Sequence, residues 1–189
     1  MRPLRSDAAA RRDLILDAAN GVFAEYGVNA PLELVIEQAG VGRATLYRNF
    51  PDRGALMSAL LERSLSAIQA RAEALQGDDD ALFALLQHLA LGIATAAPLS
   101  DYWRAIDRDH PVIAAARRRI TGIFSAPLQR AIDAGLCRSD FTPADIPLIT
   151  GMLGASLRGG SPATRRVLAR RALDLLCAGL RPRAADPVR

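Results

Sequence analysis

Lysine is absent, and all 24 basic residues are arginine. Such exclusive use fits a GC-rich coding sequence, although arginine also suits bidentate contacts to phosphates and base edges. Aromatic residues form only 5% of the 189-residue chain. Valine and isoleucine are sparse beside alanine and leucine, which together supply a third of it. Strong helix formers so outnumber β-branched residues that the composition tells against an all-β fold. Cysteine occurs twice, at Cys137 and Cys177, in no CxxC spacing. That excludes a disulfide scaffold and a cysteine-rich zinc site and fits a reducing cytosol. The two histidines, His88 and His110, cannot build a metal site between them, so neither a metal nor a cofactor is expected. The basic N-terminal stretch leads into an amphipathic segment and lacks the apolar centre of a signal peptide. Long apolar runs are scarce too. The one candidate, residues 81–99, contains Gln87, His88, Gly92 and Thr95 and draws on weakly inserting alanine. It reads as a buried core helix and not as a membrane span. A soluble, cytoplasmic chain without membrane attachment is the resulting expectation.

What is present is helical periodicity. Ser6 or Asp7 can cap a first helix running to about residue 26, with Leu14, Ile15, Ala18, Ala19, Val22, Phe23 and Tyr26 on one face. Short helices over about 32–39 and 43–49 flank Gly40-Val41-Gly42. Pro51-Asp52 opens a long helix, and the acids at 78–80 introduce the next. Ser100 is expected to cap a short helix through Trp103, and Pro111 to start one that kinks at Pro127. Thr142-Pro143-Ala144-Asp145 and Ser161-Pro162 open the last two. The pattern predicts nine helices, no strand and no repeat. The fold class is all-α, a three-helix N-terminal helix-turn-helix module joined to a C-terminal bundle of about six helices. The predicted boundaries are 1–53, 54–181 and a tail at 182–189.

The tight glycine turn between two short helices is a helix-turn-helix layout. Val35, Ala39, Val41, Leu46 and Phe50 would hold the two helices together, with Leu46 and Phe50 at i and i+4 marking the buried face of the second. Its opposite face presents Arg43, Ala44, Tyr47 and Arg48, with Thr45 and Asn49 at the margins. Arginine can bond guanine bidentately, tyrosine and threonine can donate to phosphate, and alanine can touch a thymine methyl. Net charge does not decide the matter, because residues 1–53 hold seven arginines and seven acids. On these residues alone, an exposed helix of a generic helical domain stays open.

A wider string narrows the choice. Arg12 to Ala19, Val22-Phe23-Ala24-Glu25-Tyr26-Gly27, Ala39 to Phe50 and then Pro51-Asp52-Arg53-Gly54-Ala55-Leu56 resemble, in order and spacing, the TetR family of bacterial one-component repressors. The resemblance covers about fifty residues. It implies that Gly42, Arg43, Ala44, Thr45, Tyr47 and Asn49 face DNA and that Arg53 takes the place of a phosphate-binding lysine. Three positions depart from the family's pattern: Ile36 for a usual alanine, Leu34 for a polar residue and Pro31 for a threonine cap. Ile36 would strain the packing of the motif unless its helices separate slightly.

By the same resemblance, the C-terminal helices hold a small-molecule effector of unknown identity and form a homodimer. Candidates for the effector site are Phe83, His88, Tyr102, Trp103, Asp107 and Phe124, with Tyr102 and Trp103 foremost because each combines an apolar body with a polar handle. Each has a plainer reading: aromatics at helical spacing are usually core, and a histidine on an apolar helix is usually a hydrogen-bonded core residue. For the dimer interface, small residues in an apolar segment permit close helix approach, and Leu148, Met152, Leu153, Ser156, Leu168, Leu175 and Leu176 are the candidates. No nucleophile–base pair, metal cluster or phosphate-cradling glycine loop marks an enzyme. The expected function is a ligand-released repressor that binds a palindromic double-stranded DNA operator as a dimer. The alternative is a helical protein-interaction module without specific DNA binding.

Overall fold

A computed structural model describes residues 4–106 and 110–182. Among the described residues there are nine α-helices and no strand. The chain divides into two units: residues 1–63 with 96–105, and residues 64–95 with 106–189.

The N-terminal unit holds α1 (Leu4–Tyr26), α2 (Leu32–Ala39), α3 (Arg43–Asn49), the first half of α4 (Arg53–Ala74) and α6 (Ala97–Ala105). α1 begins ahead of the expected caps Ser6 and Asp7, because the alanine run at 8–10 carries the helix back toward the N-terminus. Ile15, Ala18, Ala19, Val22 and Phe23 are buried, whereas Leu14 and Tyr26, expected on the same stripe, are exposed. α1 packs on α2 and α6, and α2 on α3. The core is completed by Val35, Leu46, Phe50, Leu56, Met57 and Leu60. Because α4 buries Leu56 to Leu60 in this core, the division falls ten residues past the expected boundary at 53 and inside an unbroken helix. Asp52 accepts a hydrogen bond from the Ala55 N–H at 2.7 Å and so starts α4. α6 begins at Ala97, not after Ser100, since Pro98 is tolerated within a helix's first turn.

The second unit contains the rest of α4, α5 (Ala81–Thr95), α7 (Pro111–Asp133), α8 (Ile146–Leu153) and α9 (Pro162–Leu180), with 3-10 turns at Pro143–Asp145 and Gly154–Arg158. α5 lies at its centre, against α7, α8 and α9, and buries Leu82, Leu85, Leu86 and Leu89. Phe124, Leu128, Ile146 and Leu153 close the core from the other helices. α7 runs through Pro127 as one helix. The Thr142 N–H donates to the Asp145 carboxylate at 2.8 Å, and the Ser161 hydroxyl accepts from the Thr164 N–H at 3.1 Å, so the sequence-predicted starts near 143 and 162 carry their caps. The apolar stretch 81–99 is split between α5 and α6, and no single described helix is long and apolar enough to cross a membrane.

Candidate nucleic-acid interface

The turn between α2 and α3 depends on Gly40, whose φ of 63° is left-handed backbone that glycine adopts without strain. Its N–H donates to the Glu37 carbonyl at 3.1 Å and the next N–H, of Val41, to Ile36 at 3.2 Å, which closes the end of α2. The Gly42 carbonyl then accepts from Thr45 and Leu46 at 2.8 and 3.2 Å and begins α3. Behind this turn α1 comes so close that a Cβ on Gly21 would meet the Gln38 amide nitrogen at 2.8 Å. Ile36 is half-buried and packs against the core of the N-terminal unit.

Leu46 and Phe50 are fully buried and pin one face of α3. Arg43, Ala44, Tyr47 and Arg48 are exposed on the other, and Thr45 and Asn49 are half-buried between the two. The exposed groups have partners on the protein itself. The Arg43 guanidinium lies 3.4 Å from the Glu33 carboxylate on α2 and 5.7 Å from the Tyr47 ring centre. Arg48 donates to the Thr45 hydroxyl at 3.3 Å, and the Asn49 amide donates to the Thr45 carbonyl at 2.8 Å. Among the described residues the Asn49 side-chain oxygen is left as an acceptor.

Two arginines brace the motif from outside it. Arg12 of α1 donates to the Asn49 carbonyl at 3.3 Å and stacks 4.4 Å above the Phe50 ring, placing a cation at the C-terminus of α3 where the helix dipole favours one. In the sequence Arg12 only opens the string that resembles the family, without a role of its own. No local signal ties it to residues 37 positions away. Arg53, expected on a phosphate, donates to the carbonyls of Val28 and, at 2.6 Å, Ala30, and its guanidinium sits 5.6 Å from the Phe23 ring. It thus fastens the start of α4 to the loop that leads into α2.

The expected effector residues are divided between the two units. Tyr102 and Trp103 pack edge-to-face, ring centres 5.0 Å apart, against the core of the N-terminal unit. Phe83 is half-buried beneath Arg181, with the cation 5.5 Å from its ring, and Phe124 is wholly buried in the second unit's core. His88 is exposed, which removes its reading as a core histidine. Asp107 lies outside the described residues. A cleft in the N-terminal unit, lined by Asn20, Phe23, Leu60 and Leu99, has a volume of about 10 Å³, room for one water molecule.

The interface candidates divide by helical phase. Ile146, Ile149 and Leu153 follow one face of α8 into the core, and Ser156 continues it, so Leu153 and Ser156 are buried within the unit. That corrects their expected place at a dimer surface. Leu148 and Met152, on the opposite face, are 63% and 49% exposed. On α9, Leu168 and Leu175 are exposed, Leu176 is half-buried, and Val167 is 68% exposed. Burial pushes the Cys137 and Cys177 thiols up from their ordinary range, away from the thiolate that a nucleophile requires. Among the described residues no group of three or more His, Cys, Asp or Glu could hold a metal ion.

A family model described as bacterial regulatory proteins of the tetR family matches residues 15–60. Another, for the C-terminal domain of SbtR-like transcriptional regulators, matches residues 77–182. A crystal structure of a TetR transcriptional regulator from Streptomyces coelicolor is similar over 92% of this chain and 99% of its own, with a TM-score of 0.68 and 32% identity. A TetR regulatory protein from Mycobacterium vanbaalenii aligns over 95% of this chain and 100% of its own at a TM-score of 0.70 and 26% identity. An uncharacterized HTH-type transcriptional regulator from Mycobacterium bovis is 35% identical over 80 residues, 42% of each chain. The match thus spans less than half the length of that curated relative.

Proposed function

The chain belongs to the TetR family of helix-turn-helix transcriptional regulators, and on that premise we propose that it is a ligand-released repressor whose dimer reads a palindromic operator with two copies of α3. The carrying observation is the polar face of α3, with Arg43, Ala44, Tyr47 and Arg48 exposed opposite the buried Leu46 and Phe50. Arg43 is assigned to a guanine edge, Ala44 to a thymine methyl, and Thr45, Tyr47, Arg48 and the Gly42 backbone to phosphates or base edges. Asn49 offers its side-chain oxygen to a base amine. Arg53 is assigned to bracing the loop before α2 and not to a phosphate. The second copy of the chain is placed on the exposed apolar face of Leu148, Met152, Val167, Leu168 and Leu175. The protein acts in the cytoplasm, by binding and not by catalysis.

The effector site is assigned to the second unit, with Phe83 on its rim and Phe124 as a buried wall. Tyr102 and Trp103 are reassigned to the N-terminal core. Leverage is covalent: α4 is a single helix belonging to both units, and α6 is flanked on each side by chain of the second unit. A ligand preferring one arrangement of that unit then lowers DNA affinity by its differential affinity, about 1–3 kcal/mol, and DNA lowers ligand affinity by the same factor.

Selection from a random duplex pool tests the DNA reading. Inverted repeats with half-site centres roughly 34–36 Å apart are expected, with Arg43→Ala losing about 1–3 kcal/mol and its base preference. A pool unenriched over random DNA returns the protein to the class of interaction modules.

A further inference from the structure

We propose that Glu33 is a positioning residue for operator selection: its carboxylate holds Arg43 on the protein until a base edge with two acceptors displaces it. The inference rests on the assignment of Arg43 to base reading. Glu33 stands on the first turn of α2 and Arg43 at the first position of α3, so the ion pair at 3.4 Å spans the two helices of the motif. The Tyr47 ring lies 5.7 Å from the same guanidinium. Both charged groups are well exposed, at 70% and 60%, so the pair is weak enough to be exchanged.

The exchange discriminates between partners. A phosphate offers Arg43 one more anion in place of the one it already has, and either move leaves the Glu33 carboxylate beside the negatively charged duplex. A guanine edge offers two acceptors in the guanidinium's plane and no net charge. On non-operator DNA Arg43 therefore stays with Glu33 and contributes no net positive charge. On the operator it moves to the base. The balance of seven arginines and seven acids in residues 1–53, unhelpful for gross attraction to DNA, becomes a means of suppressing non-specific binding.

Removing the carboxylate should release one cation per subunit toward the DNA backbone. Glu33→Gln should raise affinity for a scrambled duplex by up to about eightfold per subunit at 0.1 M salt and steepen its log K against log salt slope by about 0.9 per subunit. Affinity for a duplex selected by the unmodified protein should rise less, so the ratio of the two falls. Glu37→Gln makes the same charge change one turn along α2, at a residue without an ion pair to α3 among the described residues, and should move the ratio little. In an Arg43→Ala background Glu33→Gln should leave the ratio unchanged. Equal effects of the Glu33 and Glu37 variants, an unchanged ratio, or a loss of operator binding as large as that of Arg43→Ala would each overturn the proposal. If Arg43→Ala itself leaves the ratio intact, the base-reading assignment fails and the proposal falls with it. All of these side chains are exposed, and thermal melting of each variant at the unmodified temperature verifies that folding is intact.

Discussion

Replacing Arg53 by methionine removes the guanidinium and keeps most of the stem. Two charge-assisted hydrogen bonds, to the Val28 and Ala30 carbonyls, are lost together with the contact to the Phe23 ring. Each bond to a charged donor contributes about 1.5–3 kcal/mol when its partner is left dry. Val28 is half-buried and Ala30 buried, so water can replace the first bond more readily than the second. A net loss of about 2 kcal/mol follows, or roughly 4–8 °C in Tm for a chain of this size. Denaturant titration reads the loss, and amide exchange should place it at the loop before α2 and at α2 itself. Arg53→Lys retains the charge without the two-pronged donor geometry, so it should restore little of this stability. The salt dependence of DNA binding separates the brace from a phosphate contact. As a brace, Arg53 leaves the slope of the methionine variant within error of the unmodified protein once folding is complete. A slope flattened by about 0.9 per subunit with unchanged stability would refute the reasoning.

Leu46→Ala, at a wholly buried position in α3, should cost about 2–5 kcal/mol and abolish operator binding, measured by urea denaturation and gel shift. Leu175→Arg puts a charge on the exposed apolar face of α9 and should yield a folded monomer in sedimentation; a dimer of unmodified strength would move the interface elsewhere. Trp103 is the only tryptophan, and its indole nitrogen is buried, without a hydrogen-bond partner among the described residues, against the N-terminal core. Its emission should be blue-shifted and should follow unfolding of that unit, so that Leu46→Ala red-shifts it. An emission maximum typical of water-exposed indole in the intact protein would contradict this packing.

The helix-turn-helix could be found in the sequence because its constraints are local. Gly40 is needed for a left-handed turn, and Leu46 and Phe50 sit one helical turn apart, so the exposed set Arg43, Ala44, Tyr47 and Arg48 follows from periodicity. Helix number and most helix starts were legible for the same reason: caps such as Asp52 and Ser161 act within three residues. Periodicity does not say which apolar face meets which neighbour. Tyr102 and Trp103 looked like a binding site by residue type, and only packing assigned α6 to the N-terminal core. Leu153 and Ser156 were indistinguishable in composition from Leu148 and Met152 until α8 was set against its unit. Arg12 and Arg53 lie outside the two helices of the motif, and their roles exist only because folding brings Asn49, Val28 and Ala30 to them across 37, 25 and 23 positions. The sequence by itself determined the local elements, since turns, caps and helical faces depend on residues within a few positions of one another. Tertiary structure alone decided which charges are engaged and which apolar faces are left open, because both depend on contacts between residues far apart in the chain.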